Sequence, residues 1–311
     1  RAPSGPPVLR FIDPDRMRQT DDGAFGKGSE VTTVQTVRDA GVDEKQFVVA
    51  EPSAAAPLRQ DAALAVAPSG AFAQMQPHRA EYQLRLGPAA NAPRIGTAVQ
   101  DLSRDCAGWH LKRDITTEIA LTSAWKISVA SRLDAQESLR GSALRFRTLT
   151  VQNGAERETR GRIERSGQET RAEIVYPGGP AQFTLPPPTL MPVAAIDYLI
   201  DRLRAGAASF PTLTFDAEVI GDAFLVDVSE STRIQSRTDD NPAAEPKGKS
   251  WPVFMTFTRG RQQDQRPLFT VNALVFETGV LDRLSVDTGL VTVQADLKSL
   301  EMRSSPTCPP V

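Results

Sequence analysis

The sequence feature that most constrains the fold is a series of short segments, starting at His78, in which apolar and polar residues alternate. Such alternation places all the apolar side chains on one face of an extended strand. The clearest cases in the first half are Ala80/Tyr82/Leu84/Leu86, Trp109/Leu111/Arg113/Ile115, Trp125/Ile127/Val129 and Leu144/Phe146. Asn153-Gly154, Ser166-Gly167 and Gly178-Gly179 separate later segments and are typical of hairpin turns. The pattern therefore predicts an antiparallel β-meander.

One segment has the period of a helix instead. Ile196, Leu199, Ile200 and Leu203 recur at helical spacing, Pro192 suits the first helical position, and Gly206 suits the end. A single apolar stripe needs a partner surface, which in a mainly β chain is the concave face of the sheet. Further alternating segments follow, so we expect about a dozen strands and one principal helix, in a sandwich or barrel.

Residues 1–73 lack a sustained period and are rich in Pro, Ala, Asp and Gln, so we expect them to be largely disordered. Their end, from Ala62 to Ala73, is similar to the last half of a secretory signal, with Ala71 and Ala73 as the small residues of a cleavage site before Gln74. The first half of such a signal is missing, and the chain starts at Arg1. Residues 1 to about 60 are thus interpreted as an upstream or out-of-frame extension; a genuine Pro/Ala-rich linker is the alternative. Residues 74–311 are expected to form a single domain.

Composition argues against several classes of function. Lys and Arg total 36 against 38 for Asp and Glu, with no basic stripe, so nucleic-acid binding has little support. No apolar run approaches the length of a spanning helix. His78 and His110 are the only histidines, and neither lies in a metal-ligand pattern. Lys247-Gly248-Lys249-Ser250 mimics the end of a phosphate-binding loop, but neighbouring prolines oppose the helix such a loop needs. We therefore predict no catalytic set, cofactor or metal.

The two cysteines, Cys106 and Cys308, lie about 200 residues apart, unlike the close spacing of metal ligands. A long-range disulfide in an oxidising compartment is the favoured interpretation. Two free thiols in a cytosolic protein are the alternative. The aromatic residues favour a packed core, although a curved sheet around a helix can also enclose an apolar ligand cavity.

Three anchors in order make the chain resemble the EipB family of cell-envelope-integrity proteins, periplasmic proteins of alphaproteobacteria. The anchors are Asp105-Cys106-Ala107-Gly108-Trp109; Leu185-Pro186-Pro187-Pro188-Thr189-Leu190-Met191-Pro192 leading on to Phe215-Asp216; and Glu277-Thr278-Gly279-Val280 with the segment from Leu297 to Met302 and Cys308. The resemblance covers residues 77–308. Ala217 and Thr288 depart from it, where a turn glycine and an aromatic residue are expected.

The resemblance implies a β-spiral, a broken barrel-like sheet coiled around the helix, with a disulfide between Cys106 and Cys308. On this reading Gly108 allows close approach at the bridge, and Trp109 packs beside it. It also implies export to the periplasm and a non-enzymatic role in envelope integrity under stress, through contacts with other envelope proteins. A carrier of a lipid or lipoprotein acyl chain inside the curved sheet is the alternative.

Overall fold

The computed structural model describes residues 75–89, 91–120, 126–219, 221–234, 246–260 and 266–308. Within them it contains fourteen strands and one helix. The strands are β1 (His78–Leu86), β2 (Arg94–Arg104), β3 (Gly108–Ala120), β4 (Lys126–Ser138), β5 (Ala143–Gln152), β6 (Ala155–Ser166), β7 (Glu169–Tyr176), β8 (Gly179–Leu185), β9 (Ser209–Asp216), β10 (Asp222–Glu230), β11 (Ser250–Arg259), β12 (Phe269–Phe276), β13 (Leu281–Asp287) and β14 (Thr292–Met302). The helix α1 (Pro192–Arg204) lies between β8 and β9.

All fourteen strands belong to one antiparallel sheet. Their order is β8-β7-β6-β5-β4-β3-β2-β1-β14-β13-β12-β11-β10-β9. Consecutive strands therefore pair with each other, apart from β8 and β9, and the first and last strands also pair, with His78 opposite Met302. Among the described strands, the two ends of this order are β8 and β9, the strands on either side of the helix.

Helix α1 packs between the two halves of the sheet. Val193, in its first turn, belongs to a core cluster with side chains of β2 to β8. Leu199, Ile200 and Leu203 belong to a second cluster with side chains of β9 to β12. Ile196 contacts both clusters. One apolar stripe thus joins strands that are far apart in the order of the sheet.

The loop between β9 and β10 brings one end of the sheet onto the inner face of the other. Arg113 of β3 pairs with Glu218 of this loop, Nη1 to Oε2 at 2.5 Å. The Thr148 hydroxyl of β5 donates to the Ala217 carbonyl (3.1 Å), and the Tyr176 hydroxyl donates to the Gly221 carbonyl (3.1 Å). These contacts coil the sheet on itself without pairing β8 with β9.

The predicted fold class is confirmed: the described chain is mainly β, with antiparallel strands wrapped around a single helix in an unclosed, barrel-like sheet. The helix prediction is also confirmed, with Pro192 in the first turn and Gly206 at a φ of +78° after the last. Trp125 and the centre of the proline-rich loop before β11 lie outside the described residues.

Candidate functional site

The turn between β2 and β3 carries the cysteine motif and is held by the side chain of Asp105. Its Oδ1 accepts hydrogen bonds from the backbone N–H groups of Ala107 and Gly108, both at 2.8 Å. Its Oδ2 lies 2.8 Å from His110 Nε2. The hydrogen bond to His110, followed by those to the backbone, lowers the pKa of Asp105. His110 lies half-exposed on the polar face of β3, as its place in the strand predicts.

Cys106 of this turn is bonded to Cys308, with the two Cα atoms 5.5 Å apart. Both cysteines are exposed, as is the segment of chain just before Cys308. The bridge therefore attaches an exposed C-terminal segment to the β2–β3 turn.

The structure gives Gly108 a different role from the expected one, which was close approach at the disulfide. A Cβ at this position would lie 2.2 Å from the carbonyl oxygen of Glu137 in β4. Gly108 pairs with Ser138 at the end of the β3–β4 ladder. The glycine is needed for close approach of two strands, and its contact is with β4 instead of with the disulfide.

Trp109 lies inside the sheet and is 8% exposed. The guanidinium carbon of Arg104, directly across the ladder, lies 5.4 Å from the centre of the indole ring. This is the geometry of a cation–π contact. Trp109 belongs to the core cluster under the first half of the sheet, so the motif tryptophan joins the turn to the core.

Glu137 was not singled out by sequence reasoning, yet it fixes the helix beside the motif. Met191, at the N-cap position, makes no side-chain cap. Instead the carboxylate of Glu137, reaching from β4, accepts the backbone N–H groups of Val193 (2.7 Å) and Ala194 (2.8 Å). Glu137 is 3% exposed, and burial raises its pKa to about 7 despite these two hydrogen bonds.

A cleft of about 680 Å³ opens between α1 and the β2–β3 turn. Its lining combines apolar, cationic and anionic side chains: Met75, Arg104, Trp109, Leu139, Asp197, Asp201, Arg204 and Ala205. Asp201 and Arg204 form an ion pair at 2.9 Å. Burial, followed by the neighbouring Asp201, raises the pKa of Asp197. We call this feature the helix–turn cleft; its volume lies in the range of small-molecule sites.

The structure brings together five of the residues singled out in the sequence, namely Asp105, Cys106, Gly108, Trp109 and Cys308. Ala71 and Ala73, the proposed cleavage residues, lie outside the described residues, and the cleavage stays a prediction. Lys249 of the phosphate-loop mimic precedes β11 by one residue and enters no helix. Its ammonium nitrogen lies 5.1 Å from the centre of the Trp251 ring.

In the part of the chain that the structure describes, no three His, Cys, Asp or Glu side chains are grouped so as to hold a metal ion. Nor does that part contain a helix long and apolar enough to cross a membrane.

One antiparallel sheet that coils around a helix without closing defines a class of barrel-like β proteins. A model of EipB-like proteins matches residues 69–304, and the chain belongs to this family. The cell envelope integrity protein EipB of Brucella abortus (strain 2308) is 25% identical over 240 residues, covering 74% of this chain and 85% of its own. A crystal structure of a β-barrel-like protein of a domain of unknown function, DUF1849, also from Brucella abortus, superposes with a TM-score of 0.66. It is 22% identical, and the match covers 74% of this chain and 99% of the other.

Proposed function

We propose that this protein maintains cell-envelope integrity under stress, as a non-enzymatic component of the periplasm that acts through contacts with other envelope proteins. The observation that carries the proposal is the match to the EipB-like family over residues 69–304. The similar protein from Brucella abortus is named for envelope integrity.

Two features of the molecule support the compartment. A disulfide between Cys106 and Cys308 suits an oxidising environment. The segment ending at Ala73 has the small-residue pattern of a secretory cleavage site.

The two carboxylates that accept backbone hydrogen bonds at and beside the motif, Asp105 and Glu137, support a role without catalysis. The lone pairs of Asp105 hold a turn, and those of Glu137 hold the start of a helix. A general acid or base needs a free position toward a substrate. These carboxylates instead serve the fold.

The test is deletion of the gene in its host, followed by growth in detergents and in antibiotics that act on the cell wall. We expect increased sensitivity, restored by the wild-type gene supplied in trans. Unchanged sensitivity across these stresses would contradict the proposal. N-terminal sequencing of the exported protein tests the cleavage separately; a mature chain starting near Arg1 would contradict that part.

A lipid or lipoprotein acyl chain carried by the protein is a second candidate, favoured by the helix–turn cleft. Met75, Trp109 and Leu139 give this cleft an apolar wall, and Leu139 is 42% exposed. Arg104 and Arg204 lie at the same opening together with Asp197 and Asp201, and Asp201 pairs with Arg204.

Native mass spectrometry of protein purified from its own periplasm separates the two candidates. Bound lipid that is lost in Leu139→Asp, while Leu290→Asp on another exposed surface retains it, would establish the carrier. If every preparation contains protein without bound lipid, the carrier function is excluded.

A further inference from the structure

The two edges of the sheet are protected to different degrees. At the β9 edge, the Leu190 N–H donates to the Leu213 carbonyl (2.8 Å), and the Phe215 N–H donates to the Leu190 carbonyl (2.8 Å). Pro211 lies in the same strand and has no N–H to offer. At the other end of the sheet, β8 pairs only with β7 among the described strands.

The turn before β8 determines which backbone groups face outward. Tyr176 and Gly179 are opposite each other, and only Pro177 and Gly178 lie between them, so this pair closes a two-residue hairpin and exchanges hydrogen bonds. By alternation, Pro180, Gln182 and Thr184 direct their carbonyl groups away from β7, and Gln182 and Thr184 also direct their N–H groups away. Pro180 therefore lies at a position where the β7–β8 ladder needs no N–H donor.

Among the described residues, no strand pairs with this outward row of β8. Rows of this kind are templates for another strand, and proteins usually blunt them with charged residues or bulges. Apart from its single proline, β8 has none of these devices: its seven residues are Gly-Pro-Ala-Gln-Phe-Thr-Leu, without a charge. An edge free of charge also accepts an identical strand without placing like charges opposite each other.

We propose that β8 pairs antiparallel with β8 of a second copy of this chain, about a twofold axis at Gln182. In that register the two Gln182 residues exchange backbone hydrogen bonds, and each Thr184 N–H donates to the Pro180 carbonyl of the other copy. Ala181 lies opposite Phe183, so a small side chain meets a large one on the inner face. This arrangement is independent of the proposed envelope role. With only seven residues in each strand, the interface is of the small, reversible class.

Cysteine crosslinking of the full-length protein tests the register. Residues of a hydrogen-bonded antiparallel pair have Cα atoms about 5.5 Å apart, which a disulfide can span. Gln182→Cys should therefore give a covalent dimer under mild oxidation. Gln136→Cys is the matched control, because Gln136 is exposed on the central strand β4. Equal crosslinking of the two variants, or none in either, would overturn the proposal.

Sedimentation over a range of concentrations tests the association itself. The wild-type chain should move reversibly between monomer and dimer, and Gln182→Lys should weaken the dimer about fivefold by placing like charges opposite each other, whereas Gln136→Lys should not. Hydrogen exchange identifies other occupants. If the amides of Gln182 and Thr184 are protected in a strictly monomeric sample, residues 1–74 or a foreign peptide occupy the edge, and the proposal fails.

Discussion

At the scale of single residues, the structure shows how charge is placed where backbone groups need it. Asp105 satisfies two N–H groups of a tight turn, and Glu137 satisfies two at the start of α1. The first is exposed and the second is almost fully buried, so their pKa values move in opposite directions. Burial disfavours the charged carboxylate of Glu137 more than its hydrogen bonds favour it.

The raised pKa of Glu137 predicts a specific pH dependence of stability. Because its pKa rises from 4.5 to about 7 on folding, the folded state binds the proton more tightly than the unfolded state. The contribution of this group is fully present below pH 4.5 and is lost as the pH rises through 7. In urea unfolding from pH 5 to 8, the stability of the wild type relative to Glu137→Gln should fall as the pH increases.

The exposed Glu156 of β6 provides the control for this measurement. The stability difference between the wild type and Glu156→Gln should stay level over the same range. The stability difference between the wild type and Glu137→Gln could instead rise with pH. That result would mean that the hydrogen bonds to the helix favour the charged carboxylate more than burial disfavours it.

Gly108 makes a second prediction at this scale. Alanine there would place a methyl group 2.2 Å from the Glu137 carbonyl oxygen, so β3 and β4 must separate. We expect Gly108→Ala to lower the free energy of unfolding by about 1–3 kcal/mol. In thermal melts the variant should unfold at a lower temperature than the wild type. Equal melting temperatures would contradict this account of the motif glycine.

At the scale of elements, the alternation of side chains predicted about a dozen strands where the described residues form fourteen, and the 196/199/200/203 spacing predicted the helix. Each of these signals depends on which face of one element is buried. The contacts of Glu137 with α1 and of Arg113 with Glu218 join residues 56 and 105 positions apart, and no local period encodes them. The motif residues were found because they are unusual in type, whereas one more glutamate in a strand is not.

The ion pair between Arg113 and Glu218 should couple the β9–β10 loop to β3. Glu218 also accepts a hydrogen bond from the Ser131 hydroxyl at 3.4 Å, and its side chain is 11% exposed. Glu218→Gln removes the nearest counter-charge of Arg113 and should destabilise the fold by about 1–3 kcal/mol. A double-mutant cycle with Arg113→Met, followed by urea unfolding, should give a coupling energy of about 1–3 kcal/mol. Strictly additive single-mutant effects would show that the loop is held by its other contacts alone.

At the scale of the whole molecule, the disulfide is the covalent link between the β2–β3 turn and the C-terminal segment. It closes a loop with a sequence separation of 202 residues. In the chain-entropy model, closing a loop of this size stabilises the fold by up to about 5 kcal/mol. Mass mapping without reductant should recover a peptide pair containing Cys106 and Cys308, and reductant should lower the melting temperature by several degrees.

The variant Cys106→Ser/Cys308→Ser is the control for that experiment. Its melting temperature should equal that of the reduced wild type and should not respond to reductant. If the melting temperature of the variant equals that of the oxidised wild type, the bridge adds nothing to stability.

The pairing of β1 with β14 has a consequence for the order of folding. Thirteen of the fourteen strands can be made before β14 exists, yet β1 and β14 lie side by side within the sheet and not at its edge. Contacts between residues so distant along the chain form slowly, because closing the long loop between them costs entropy before the contacts offset it. Until then the open side of β1 can pair with any other strand. This topology therefore favours a chain that stays unfolded until β14 is present and can pair with β1.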